Sequence, residues 1–114
     1  MSTGSECYKT IRDSFTVPGL CGVESVMLFN NGLEAVDIDG SMALKAGYGI
    51  RLRYTDSKGR RRCVFGYGKV MFFGEAESCE GVTVHIEECD EPSVCDCYVT
   101  VTAKIKLEVA YNIT

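Results

Sequence analysis

The closing segment of this sequence constrains the fold more than any other part of it. From residue 97 to residue 114, Cys97, Val99, Val101, Ala103, Ile105, Leu107, Val109, Tyr111 and Ile113 fill every second position, with Tyr98, Thr100, Thr102, Lys104, Lys106, Glu108, Ala110, Asn112 and Thr114 between them. Successive side chains of a β-strand point to opposite faces, so this pattern describes a strand with one apolar and one mostly polar face.

Its length raises a question of scale. Extended at ~3.3 Å per residue, the segment would span roughly 55–60 Å. A compact domain of this size has a radius of gyration near ~13 Å and a body only about 35 Å across. Such a strand has to bend, cross a barrel obliquely, or project toward another chain. Bends are usually marked by Gly or Pro, and residues 97–114 contain neither. The expectation is therefore that Val101, Ile105, Leu107, Val109, Tyr111 and Ile113 form an interface with a neighbouring subunit, because an unpaired projecting strand invites aggregation. The alternative is one long curved strand within a monomeric barrel or sandwich.

Shorter stretches of alternation precede it. Residues 23–29 read as a strand ended by Asn30-Asn31-Gly32, a turn signal, and residues 33–38 as another strand before Asp39-Gly40. Residues 41–49 fit strand or loop. Residues 49–54 and 60–73 make a hairpin about Thr55-Asp56-Ser57-Lys58-Gly59, with Gly66, Gly68 and Gly74 as candidate bulges or bends. Val82, Val84 and Ile86 mark one more strand. Tyr8, Ile11 and Phe15 stand at helical spacing behind a Ser5 cap, so residues 1–18 are expected to form an arm or short helix. The reading is an all-β, mainly antiparallel domain over residues 19–114, a small sandwich or barrel. A chain of 114 residues holds one core.

Composition narrows the function classes. A net charge of −4 argues against nucleic acid as a partner. The run Arg60-Arg61-Arg62, near Lys58, Arg51 and Arg53, reads as a solvated hairpin tip. No apolar run approaches the ~20 residues that cross a bilayer, and the start carries no basic-then-apolar leader, so neither a membrane nor a secretory signal is expected.

Seven cysteines, Cys7, Cys21, Cys63, Cys79, Cys89, Cys95 and Cys97, offer three chemistries. Metal ligation would draw on Cys79, Cys89, Cys95 and Cys97, but the two-residue gaps that fold sulfurs onto one ion are absent. Disulfides and packed, reduced thiols are the other readings. His85 alternates with Val84 and Ile86 on the polar side of its strand and reads as solvent-facing, not as a base for a thiolate. Asp37 and Asp39 read as turn chemistry. Gly66-Tyr67-Gly68-Lys69 is too short for a phosphate loop.

No cofactor is expected. The functional expectation is a non-enzymatic assembly subunit, most naturally of a virus or bacteriophage particle made in the host cytoplasm. There it would decorate a capsid, form a connector or build a tail, contacting symmetric copies of itself by strand or arm exchange. A small secreted, disulfide-stapled binding module and a thiol-ligated metal protein are the alternatives.

Overall fold

The computed structural model describes residues 2–74 and 80–112. Seven antiparallel strands form two sheets: β1 (Ser2–Thr16), β7 (Tyr98–Asn112) and β5 (Val82–Cys89) in one, with β6 (Ser93–Cys95) also on β7, and β2 (Leu20–Ile38), β3 (Ser41–Asp56) and β4 (Arg61–Phe73) in the other. The all-β, antiparallel reading holds. Among the described residues no ladder joins the two sheets, so neither closes into a barrel.

The two sheets contribute to one core. The inner face of β7 supplies Val99, Val101, Ala103, Ile105, Leu107 and Val109, all at most 3% exposed, and β3 supplies Leu44, Ala46, Tyr48, Ile50 and Leu52. Both are central strands, with partners on either side, which is why their apolar periodicity is the least interrupted. Two hydrogen bonds tie the layers: Asn30 Nδ2 of β2 donates to the Val84 carbonyl of β5 at 3.0 Å between edge strands, and the Tyr48 hydroxyl of central β3 donates to Asp13 Oδ2 of β1 at 2.5 Å.

The scale argument fails at its premise. The molecule is not a sphere: its extents are 61 × 32 × 18 Å and its radius of gyration is 17.2 Å. Five of its strands run 13 residues or more, so β7 lies alongside equally long neighbours instead of outrunning them. Val101, Ile105, Leu107 and Val109, expected at an interface, are buried within their own chain. Tyr111 pairs by its backbone with Thr3, and Ile113 lies outside the described residues.

Two local expectations are also corrected. Residues 2–16 are neither arm nor helix but a strand paired with β7 along its whole length. Ile11 and Phe15 are four apart, a spacing that suits a period of two as well as 3.6, and the bonds from β7 decide between them. Asn30-Asn31-Gly32 does not reverse the chain. Asn30 pairs with Tyr48 and Leu33 with Ala46, so Asn31 and Gly32 bulge opposite Gly47. The Asn31 carbonyl folds over Gly47 where any Cβ would collide with it, and Gly32 takes a φ of 99°. Asp39-Gly40, in contrast, is the two-residue turn expected, with φ of 50° and 84°, and Asp37 Oδ1 accepts from Gly40 N at 2.8 Å.

The β3–β4 hairpin is closed by one carboxylate. Asp56 Oδ1 accepts from the backbone N of Lys58 and of Arg60, both at 2.9 Å, and Oδ2 from Arg62 Nε at 2.7 Å and Arg60 Nε at 3.2 Å. The Arg62 bond, then the backbone donors, hold its carboxyl down at about 2, below the ordinary 3.8. A depressed acid stabilises the folded state fully above its unfolded pKa and loses that contribution as pH falls through the folded one. Asp56→Asn should therefore lower the melting temperature at neutral pH, and its deficit against the parent should shrink between pH 3.8 and about 2. A deficit constant across that window, in melts followed by circular dichroism, would contradict this assignment.

Candidate functional site

The outer faces of the two sheets differ in chemistry. On the β1–β7–β5 sheet, charges are interleaved and paired. Lys106 Nζ lies 2.8 Å from Glu87, 3.6 Å from Glu108 and 3.9 Å from Glu6, Lys104 stands over the Tyr8 ring, and His85 faces Glu108 at 3.7 Å. This is an ordinary solvated surface, and His85 occupies the exposed side of its strand, as its alternation implies.

The outer face of the β2–β3–β4 sheet carries rings. Along β4, alternation turns Phe65, Tyr67 and Phe73 outward, at 51%, 65% and 57% exposure. Cross-strand register sets Met27, Arg51 and Phe65 in one row and Phe29, Gly49 and Tyr67 in the next. Gly49 has no side chain because the Phe29 ring lies over it, meeting Tyr67 edge to face with centroids 6.2 Å apart. Rows on either side bring Arg53 with Cys63, and Lys69 beside Gly47.

The cations of this face are unevenly neutralised. Glu34 holds Lys45 at 2.5 Å and Glu24 holds Arg61 at 3.3 Å. Arg53 and Lys69 have no ion pair among the described residues. Arg51 donates to the Met27 sulfur at 3.5 Å, while its Nε is buried without a partner. Shallow polar depressions border the rings, one lined by Asn31, Glu34, Lys45 and Lys69 and another by Glu24, Arg53, Arg61 and Cys63.

This concentration of charge was readable in the sequence but hidden by the net value. Residues 41–74 hold eight of the twelve Lys and Arg and one of the sixteen Asp and Glu, a net of +7 against −11 for the rest of the chain. Summing over the whole chain cancels the two.

Among the described residues no three His, Cys, Asp or Glu side chains are placed to hold a metal ion. Cys21, Cys63, Cys89, Cys95 and Cys97 carry free thiols, burial raises the pKa of Cys89, and Cys79 lies outside the described residues. Cys95 and Cys97 flank Asp96, whose φ of 52° makes the tight turn between β6 and β7.

Fold and site together define a class: an elongated, two-sheet antiparallel β protein with an aromatic and cationic patch on one outer face. Comparison with protein-family models, with curated proteins and with solved structures finds no match for the chain.

Proposed function

We propose that the protein is a non-enzymatic assembly subunit that contacts its neighbours through the outer face of the β2–β3–β4 sheet. The observation that carries this reading is the exposure of Phe65 and Tyr67 on one face of the same strand, with Phe29, Met27 and Arg51 in the adjoining rows. Aromatics, Met and Arg are the residue types enriched at protein interfaces and at their energetic centres. Single exposed hydrophobics are ordinary, but a contiguous group of rings on one face is characteristic of a contact surface. The apolar face of β7 is buried within its own chain, which favours docking by this outer face over projection of that strand. As a setting, a virus or bacteriophage particle suits a short, rigid, elongated β subunit repeated by symmetry.

The test is sedimentation velocity on the parent and on Phe65→Ala/Tyr67→Ala. The parent should associate at micromolar concentration, and the double variant should sediment as a folded monomer with only a small drop in melting temperature, since both side chains point away from the core and the loss is confined to the Phe29–Tyr67 edge contact. A parent that stays monomeric at every concentration, or a variant that associates equally well, would remove the face from this role.

A further inference from the structure

We propose that the surface docked on this face is the β2–β3 turn of a second copy, which presents Met42 to the rings and Asp37 and Asp39 to the cations. The inference rests on the outer face being the contact surface, and it names the occupant.

Charge disfavours the simplest alternative. A two-fold contact of the face with itself would set two surfaces of the same net sign, each with Arg51, Arg53 and Lys69, against one another, and like charges brought together across an interface are costly. The complement has to be acidic and partly apolar, and the chain supplies one. Between Arg12 and Lys45 there is no Lys or Arg at all, and the acids of that stretch include Asp37 and Asp39 at the β2–β3 turn. Met42, paired with Asp37 on one face of that hairpin, is 37% exposed. An apolar side chain beside carboxylates matches rings beside guanidinium and ammonium groups.

The turn is also preorganised. Its two central residues already hold positive φ, and the bond from Gly40 N to Asp37 Oδ1 at 2.8 Å fixes the tip. Docking a rigid tip loses little conformational entropy. The turn lies near Phe73, which pairs with Ala43, but cannot reach Phe29, Phe65 and Tyr67 of its own sheet. Ile38 pairs with Ser41 and Phe29 with Gly49, eight residues further along β3, roughly 27 Å away. The contact is therefore between molecules and uses two different surfaces, so it propagates head to tail into a ring or filament instead of stopping at a dimer.

A complementation experiment tests this. The tip variant is Asp37→Asn/Asp39→Asn/Met42→Lys, which keeps an Asn-Gly turn. The face variant is Arg53→Glu/Lys69→Glu, at two exposed positions. Each alone should associate at least about tenfold more weakly than the parent, and the parent's association should weaken with added salt. Mixed together, the two should form a 1:1 heterodimer that grows no further, because the face variant keeps a sound tip and the tip variant a sound face. Parent-like association of the tip variant, or absence of a heterodimer on mixing, overturns the occupant. It leaves the contact face standing if Phe65→Ala/Tyr67→Ala still abolishes association. Binding of a single-stranded oligonucleotide by a monomeric parent, lost in the face variant, overturns the occupant in favour of nucleic acid.

Discussion

Leu107→Ala is expected to cost about 2–5 kcal/mol of folding stability, the range for truncating a fully buried leucine, while leaving the association of the folded protein unchanged. Leu107 is completely buried. It pairs with Cys7 on one side and Val84 on the other, so it sits in the middle of its sheet with its side chain in the shared core. Removing three carbons there leaves a cavity that flanking strands, pinned by ladders on both sides, can close only in part. Urea titration should show a lower midpoint with an unchanged slope, since the surface exposed on unfolding hardly changes. Sedimentation under folding conditions should match the parent. The opposite pattern, lost association at full stability, would return the residue to an interface and undo the burial of β7.

That experiment bears on what a periodic sequence can and cannot disclose. Alternation over residues 97–114 identifies a strand and its apolar face because both are local properties of the backbone. It does not say what covers that face. The inference of a partner came from comparing the strand with a spherical domain, and the chain is drawn out to 61 Å because nearly all its strands are long. The Asn31-Gly32 bulge was illegible for a similar reason: Gly47, fifteen positions later, makes the space into which Asn31 folds. The tight turn at Asp39-Gly40 depends only on its own residues, and it was readable. The contact face falls between these cases. Its rings and charges stand in the sequence, but that Phe29, Arg51 and Tyr67 share one surface follows from register alone.

The same strand builds both the core and the candidate site. In Phe65-Gly66-Tyr67-Gly68 the rings point outward and the glycines inward, an inversion of the usual hydrophobic-in pattern. It works because rings from other positions fill the inward space: Phe15 of β1 lies over Gly66, and Tyr48 of β3 lies over Gly68. Neither glycine is the bulge or bend that its residue type suggests: both keep regular pairs, Gly66 with Ile50 and Gly68 with Tyr48. β4 thus presents aromatics to solvent without leaving a hole beneath them.

Gly68→Val should test that arrangement, with a loss of about 1–3 kcal/mol from overpacking and a further loss of about 1.5–3 kcal/mol if the Tyr48 hydroxyl is driven off its carboxylate. A Cβ at position 68 would meet the Tyr48 ring and hydroxyl. That ring cannot easily yield: it is buried in the core cluster, and its hydroxyl donates to Asp13 Oδ2 at 2.5 Å, linking the two sheets. Burial and the Asp13 carboxylate also raise the pKa of this hydroxyl well above the usual tyrosine range, so it stays a donor at alkaline pH. By strand propensity alone valine should improve on glycine. A net loss therefore isolates the steric cost, and a double-mutant cycle assigns it to the ring. In a Tyr48→Ala background the vacated space receives the new side chain, and Gly68→Val should become neutral or stabilising. Equal losses in both backgrounds would mean that the glycine serves the backbone of β4 and not the ring above it.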